Sequence, residues 1–237
     1  MNNKIIITQS NYIPWKGYFT TMKKATHIVL YDDAQYTKRD WRNRNKIITP
    51  KGPTWLSIPV DVKGKYLQKI NEAKITDHSW SFSHWNKIKQ NYKKAPCFEQ
   101  YRKTFEKTYL EELPQYEYLS DINSHMIKKC INLLNLDIKV LDSRSFKIRG
   151  GKTEKLINIC NDLEANEYFT GPAAKGYIDE AMFVKNNIKL SYYKLKDFPE
   201  YRQCWNDFEH KISIMDMFFN LGTQTVKYFN WNGNEQK

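Results

Sequence analysis

Two short β-branched runs, separated by an amphipathic segment, constrain the fold of this chain more than any other feature. The first run covers residues 5–8 and the second covers residues 28–31. Apolar runs of this length that alternate with helical patterns are typical of a βαβ unit, in which both strands lie in one parallel sheet. We therefore expect the first two strands to be parallel neighbours.

The rest of the chain resumes this pattern after an interruption. Residues 46–60, with two prolines and a glycine at their centre, predict a β-hairpin, and a helical block, its first helix capped by Ser79, runs to about residue 136. Further strands are predicted at residues 139–141, 168–170 and 188–194. Further helices are predicted at residues 153–161, with Thr153 as the cap, up to 184 and at 211–220. The sequence thus predicts one α/β domain over residues 1–237, with a mostly parallel sheet, flanking helices and an insertion at about 46–136.

Composition narrows the class of protein. No stretch approaches the ~20 apolar residues of a transmembrane helix, and the apolar run near the N-terminus is too short for a signal peptide. We therefore expect a cytoplasmic protein that does not insert into a membrane. The four cysteines, which form no CxxC pair, predict neither a disulfide framework nor a metal site.

The charge of the chain indicates the kind of partner. A formal net charge of +12 and a pI near 9.3 favour polyanions such as nucleotides or nucleic acid. The lysines are scattered as on solvated helix faces, whereas Arg39, Arg42 and Arg44 fall within six residues. Because the guanidinium fork suits phosphate, we assign the functional part of the charge to these arginines. The alternative is an ordinary lysine-rich surface.

Side chains able to bind a ligand follow the first strand. Gln9 and Asn11 offer amides that can read the edges of a base or a sugar, and Tyr12 and Trp15 offer rings for stacking. Ligands of parallel sheets sit beyond the carboxyl ends of the strands. These residues therefore predict substrate binding, although an ordinary loop in which Trp15 packs on the sheet would also explain them.

The second strand ends on Asp32 and Asp33. One carboxylate could hold an amine, a ribose hydroxyl or a metal, while the other caps the following turn. Since Asp32 lies closer to the buried strand, Asp33 is the preferred catalytic base and Asp32 the second candidate.

A loop follows in which cations alternate with aromatic and amide side chains. Such interleaving is typical of proteins that grip phosphates while stacking a base. The candidate substrate-binding residues of this loop are Gln35, Lys38, Arg39, Trp41, Arg42, Asn43 and Arg44. We predict that Gln9, Asn11, one of the two aspartates and at least one arginine line a single cleft.

Three weaker candidates lie elsewhere. Residues 149–153 open a helix, where backbone amides favour an anion, but the leading glycine of a phosphate-binding P-loop is missing. Gly171 and Pro172 form a small-residue turn that suits close approach of a ligand. His84, between Trp80 and Trp85, is either a third catalytic candidate or a packing group.

The chain resembles the WbqC family throughout. The matching strings are QSNYIPWKGYF (9–19), YDDAQYTKRDWRNRN (31–45), WLSIPV (55–60), TGPAA (170–174) with Tyr177, PEYRQCW (199–205) with FE (208–209), and SIMDMFFNLG (213–222). Ser10 and Ile13 replace the Pro and Leu that the family has after its first glutamine, and neither change removes a polar group.

The resemblance implies a function in the synthesis of O-antigen and other surface polysaccharides. It implies a transferase that moves an amino acid, glycine in particular, or another acyl group onto the amine of a nucleotide-linked amino sugar. The residues fit such a substrate. Tyr12, Trp15 or Trp41 would stack the base, the arginines would hold the diphosphate and Asp32 or Asp33 would meet the amine. Backbone amides at Gly171 or Gly150 would hold the oxyanion.

Several alternatives stay open at the level of sequence. No tightly bound cofactor is expected, and the acyl donor would be acyl-coenzyme A or an aminoacyl-tRNA. Adenylation of the acid by ATP is a third route, because the Asp-ended second strand also resembles a nucleotidyltransferase-like fold. Gln9 and Asn11, however, stand where that fold has its histidines. A non-catalytic module that binds a nucleotide sugar or RNA is the alternative from another class.

Overall fold

A five-stranded parallel sheet forms the centre of the computed structural model, which describes residues 2–195, 198–205 and 207–229. The strands are β1 (Asn3–Thr8), β2 (His27–Leu30), β3 (Arg44–Thr49), β4 (Gly52–Ser57), β5 (Lys139–Asp142), β6 (Ala165–Thr170) and β7 (Lys189–Tyr192). The order across the sheet is β5-β2-β1-β6-β7, and every neighbouring pair is parallel. The predicted α/β class and the parallel pairing of the first two strands are confirmed.

Helices surround this sheet. They are α1 (Lys16–Thr20), α2 (Trp80–Tyr92), α3 (Phe98–Lys107), α4 (Leu119–Leu133), α5 (Lys152–Asp162), α6 (Glu180–Lys185) and α7 (Ile214–Leu221). A π-helical turn, Thr108–Glu112, continues α3, and a 3₁₀ turn, Gly222–Tyr228, continues α7. Within the described part of the chain, no helix is long and apolar enough to span a bilayer.

Both faces of the sheet are buried, which explains the unbroken apolar runs of its central strands. Ile6 and Ile28 point to one face, which packs against the hairpin, α2, α3, α4 and α7. Ile7 and Val29 point to the other face, which packs against α5 and α6. The inserted block therefore covers one face of the sheet, and its aromatic side chains are continuous with the core on that face.

The predicted hairpin consists of β3 and β4, which pair antiparallel. Residues 50 and 51 form the turn, and Gly52 follows with φ of +95°, a backbone conformation that favours glycine. The hairpin lies slightly earlier in the chain than residues 46–60, because pairing begins at Arg44.

Two predicted helix caps differ from the structure. Ser79 does precede α2, but its hydroxyl donates to Asp77 (2.7 Å) instead of capping the helix. Thr153 lies inside α5, whose N-cap is Gly151, and Glu154 accepts the Gly151 N–H at 2.5 Å. A carboxylate three residues into the helix satisfies that donor, so the threonine hydroxyl is not needed there.

The sheet has a point at which the chain changes direction. From β1 the chain runs outward to β2 and β5 on one side, and later to β6 and β7 on the other. The connections on the two sides therefore lead in opposite directions from the space between β1 and β6, which we call the switch point. In open parallel sheets the crevice beyond the carboxyl ends of the strands at such a point is where ligands bind.

Candidate functional site

A cavity of about 580 Å³ opens at this point. Thr8 and Gln9 from the end of β1, and Thr170 and Gly171 from the end of β6, lie in its wall. We call it the main cavity. Its volume falls within the range of small-molecule sites, ~300–1,000 Å³, so it is large enough for a substrate.

Asp33 is the carboxylate that lines the main cavity. It accepts hydrogen bonds from the Ser143 hydroxyl (2.8 Å), the Lys69 ammonium (3.2 Å) and the Asn71 amide (3.4 Å). Partial burial alone would raise the pKa of Asp33, but these three donors outweigh it and hold the pKa below its ordinary value. The side chain is therefore a fixed anion at neutral pH.

Lys152 and Lys155, in the first two turns of α5, also line the main cavity. Neither ammonium takes part in an ion pair among the described residues. Glu154, which lies between them in sequence, is bonded to the backbone of Gly151, and Gly150 does not line the cavity. The two lysines are thus cations available to an anionic ligand.

Four tyrosines complete the wall, namely Tyr31, Tyr168, Tyr177 and Tyr193. Gly171 makes room for one of them, because a Cβ built on it would lie 3.3 Å from the Tyr193 hydroxyl. Pro172 does not line the cavity but begins a 3₁₀ turn, Pro172–Gly176. The tyrosine rings offer flat apolar surfaces with hydroxyls at their tips, which suits a sugar or a base.

Asp32 points away from the cavity into the protein and is only 4% exposed. It accepts the backbone N–H of Ser10 at 2.8 Å, and burial raises its pKa to about 6. Asp32 therefore holds the loop that follows β1. The two aspartates face different environments, and Asp33 alone meets the main cavity.

The arginine loop does not reach the main cavity, which corrects the prediction of one shared cleft. Arg42 donates to the Asn11 side chain, lies 3.7 Å from Asp40 and is 16% exposed. Arg44 lies over the Trp55 ring, 4.1 Å from its centroid, and donates to the carbonyl of Arg39. The Arg42 guanidinium is turned toward groups of the protein itself, because a mostly buried cation needs acceptors nearby, and Arg44 does not line the main cavity.

Three other residues of that loop stabilise it through contacts with other parts of the protein. The Gln35 amide donates to the carbonyl of Tyr66 (2.6 Å), and the Asn43 amide donates to that of Ile58 (2.8 Å). The Lys38 ammonium lies 5.5 Å from the centre of the Tyr66 ring. None of the three lines the main cavity.

A second cavity of about 300 Å³ lies beside the loop at residues 9–15. Its lining residues are Asn11, Pro14, Trp15, Trp41, Asn45 and Lys211. Since Gln9 faces the main cavity and Asn11 faces this one, a single loop borders both. Trp15 and Trp41 were predicted to stack a ligand, and both lie in the wall of the second cavity.

Tyr12 and His84 are packing groups, which contradicts the stacking role predicted for Tyr12 and agrees with the packing alternative for His84. Tyr12 has no exposed surface, and its hydroxyl lies 2.9 Å from His84 Nδ1 and 2.8 Å from the Tyr109 hydroxyl. Burial and the nearby Lys87 charge lower the pKa of His84 to about 3, so the ring is neutral. Tyr12 cannot stack a base from this position, and His84 cannot exchange protons with a ligand.

A model of the WbqC-like protein family matches residues 9–228. The chain belongs to this family. It is 38% identical over 228 residues to "Uncharacterized protein Rv1507c" of Mycobacterium tuberculosis (strain ATCC 25618 / H37Rv). The match covers 96% of this chain and 98% of that protein. No solved structure matches the chain.

The family strings contribute unequally to the main cavity. Gln9 and most of residues 170–174 line it, whereas the strings near the C-terminal end build a buried polar cluster on α7. In that cluster Asp216 accepts hydrogen bonds from Tyr92 (2.9 Å), Tyr201 (2.7 Å) and Gln203 (3.1 Å). Residues 199–205 and 207–222 of this WbqC-like protein therefore mainly stabilise its larger core.

Sequence reasoning missed Tyr31, Tyr193 and Lys155. Tyr31 and Tyr193 come directly after β2 and β7, so their positions at strand ends were a usable signal. For Lys155 the sequence offered no signal beyond its position one turn after the glycine-rich start of α5. Among the described residues, no group of three or more His, Cys, Asp or Glu side chains is placed to hold a metal ion.

Proposed function

We propose that this WbqC-like protein is a transferase of surface-polysaccharide synthesis that joins an aminoacyl or other acyl group to the amine of a nucleotide-linked amino sugar. The observation that carries the proposal is the content of one cavity. Asp33 supplies a fixed anion, Lys152 and Lys155 supply two cations, and tyrosine rings lie around them. This set of groups complements an amine, a diphosphate and a sugar or base in one molecule.

The roles follow from the positions of the charges. Lys152 and Lys155 bind the diphosphate, in place of the arginines to which the sequence had assigned it. Tyr177, whose side chain is half-exposed, stacks on a ring of the substrate at the mouth of the cavity. Asp33 accepts a hydrogen bond from the ammonium group of the sugar and orients it.

The ammonium group first loses one proton to solvent, because only the free amine can attack, and the acyl transfer itself then moves one further proton. The amine nitrogen attacks the carbonyl carbon of the activated acyl group, and the bond from that carbon to the sulfur or oxygen of the donor breaks. The nitrogen becomes more acidic as its bond to carbon forms, so Asp33, although its pKa is low, can accept the proton at that stage. The proton then passes to the departing thiolate or alkoxide.

A second candidate function is binding of a nucleotide sugar without catalysis. The observation in its favour is the same lowered pKa of Asp33, because three hydrogen-bond donors already hold this carboxylate in its charged form. Such a carboxylate is a good ligand for an ammonium group and a weak base.

Replacement of Asp33 separates the two functions. Asp33→Asn keeps the size of the side chain and removes its charge, so turnover should fall by about 10²-fold or more. Binding of UDP-glucosamine, a probe with a free amine, should weaken by less than about tenfold, because the lysines still hold the diphosphate. Mass spectrometry with each class of donor measures turnover, and calorimetry measures binding.

The exposed Asp137 offers a matched control, and Asp137→Asn should change neither quantity. Lys155→Ala should weaken binding without a comparable effect on the turnover of bound substrate. Wild-type turnover in Asp33→Asn would remove this residue from the chemistry. Binding of nucleotide-linked amino sugars with no transfer from any donor would favour the second candidate.

A further inference from the structure

The outward face of the hairpin carries a strip of cations and indole. Arg44 and Lys46 are two residues apart on β3, so both point to the same face, and Trp55 on β4 is paired with Lys46. The Arg44 guanidinium lies 4.1 Å, and the Lys46 ammonium 5.2 Å, from the centre of the Trp55 ring. A half-exposed indole is thus flanked by two positive charges.

Trp41 joins this strip to the second cavity. Its ring centre lies 5.3 Å from that of Trp55, and 37% of each side chain is exposed. Trp41 also forms one wall of the second cavity, together with Trp15, and Lys211 lies at the same cavity. A volume of about 300 Å³ is at the lower limit for a ligand site, so the cavity accepts one ring system and not a whole sugar nucleotide.

The polar groups of the second cavity differ in how many of their hydrogen bonds are already made within the protein. Asn45 is buried, and its amide donates to the carbonyls of Tyr12 and Ile13. Asn11 accepts from Arg42 through Oδ1, whereas no hydrogen bond is described for its amide nitrogen within the part of the chain that the structure covers. That nitrogen is a donor which a ring acceptor could meet.

We propose that the second cavity and the strip of Arg44, Trp55 and Lys46 together bind a purine nucleotide. This nucleotide is the end of the activated acyl donor that carries adenosine and its phosphates. The base stacks against Trp41 inside the cavity, and the phosphates lie toward Arg44, Lys46 and Lys211. Stacking on exposed aromatic rings beside cations is how proteins bind bases without reading their sequence. The inference rests on the proposed function and adds to it the site of the second substrate.

The chemistry of the donors supports one shared site. Coenzyme A, the 3′ end of an aminoacyl-tRNA and ATP all carry an adenosine with phosphate attached. The position of the site supports it as well. The Cα atoms of Gln9 and Asn11 are at most about 7.6 Å apart, since each peptide step spans about 3.8 Å. The donor and acceptor sites therefore meet at one loop, where the acyl group can pass from one to the other.

The test measures binding of three probes that carry adenosine, namely coenzyme A, ATP and a short single-stranded RNA ending in CCA. Trp41→Ala should weaken binding of at least one probe by about tenfold or more, because stacking on the indole is lost. Trp41→Phe, which keeps a ring, should retain most of the affinity. Phe82→Ala removes another exposed aromatic side chain, distant in sequence on α2, and should have no effect.

The probe that responds identifies the donor: coenzyme A indicates a thioester, the RNA an aminoacyl-tRNA and ATP alone an adenylated acid. UDP-glucosamine should bind wild type and Trp41→Ala equally. The inference is overturned if no probe binds the wild-type protein, or if Trp41→Ala binds every probe as wild type does. In either case intact binding of UDP-glucosamine in the main cavity would leave the proposed function standing.

Discussion

The adjacent residues Asp32 and Asp33 have opposite environments. Asp32 is buried with a raised pKa and holds a backbone amide, whereas Asp33 faces the main cavity with a lowered pKa. Alternation along an extended segment separates the two side chains, and the donors around each one set its charge. A pair of aspartates in the sequence is therefore one structural group and one group available to a ligand.

The raised pKa of Asp32, about 6, predicts a particular dependence of stability on pH. The folded state binds this proton more tightly than the unfolded state, so the resulting stabilisation is full below the ordinary carboxyl pKa near 4 and is lost as pH rises through 6. Asp32→Asn keeps an acceptor for Ser10 and does not ionise. Relative to this variant, the wild-type protein should lose on the order of 3 kcal/mol between about pH 4 and pH 7.5.

Urea denaturation of both proteins across this range measures the difference, and the titration of all other groups cancels in the comparison. A difference that does not change with pH would show that Asp32 ionises as freely in the folded state as in the unfolded chain.

At the scale of elements, side chains of neighbouring segments fix the loop at residues 9–15, which borders both cavities. The loop at residues 9–15 is attached to its neighbours by Asp32 through Ser10, by Arg42 through Asn11, and by Asn45 through two carbonyls. The polar residues that precede and follow the strands are thus mostly used to fix the shape of that loop. Gln9 is the member of it that faces the main cavity.

Arg42 and Arg44 should differ in their effect on stability. Arg42→Ala leaves Asn11 without its charged donor and removes a cation near Asp32, so it should lower the free energy of unfolding by roughly 1.5–3 kcal/mol. Arg44→Ala removes a half-exposed stack on Trp55 and should cost about 0.5–1 kcal/mol. Urea denaturation of the two variants makes the comparison. Equal, small effects would instead show that the contacts of Arg42 with Asn11 and Asp40 do not stabilise the fold.

At the scale of the whole molecule, the sheet is shared by two cores. The inserted hairpin and helices cover one face, and α5 and α6 cover the other, so residues that alternate along β1 and β2 belong to different cores. Loss of either layer would expose one apolar face of the same strands to water.

We therefore expect the protein to unfold in one transition. Scanning calorimetry should give a calorimetric enthalpy equal to the van't Hoff enthalpy, and tryptophan fluorescence should report the same melting temperature. Trp55, Trp80 and Trp85 belong to the inserted block, so fluorescence follows that layer in particular. Two resolved transitions, with the fluorescence change in only one of them, would show that the insertion at about 46–136 unfolds independently.

The sequence by itself determined the main strands and the edge of the sheet at which the main cavity lies. Strand runs and turn residues are local signals, so β1, β2, the hairpin and the α/β class could be predicted. The positions of Gln9, Asp33 and Gly171 beyond strand ends followed from the same pattern, because parallel strands bring their carboxyl ends to one edge.

Only the tertiary structure decided which polar side chains remain available to a ligand. Arg42, Tyr12 and His84 have partners 31 to 97 residues away in the chain, and nothing in the local sequence names those partners. Lys155 and Tyr193 reach the main cavity because α5 and β7 come to the switch point from distant parts of the chain. Burial and pairing are properties of contacts that folding makes, and they separate the side chains available to a ligand from the structural ones.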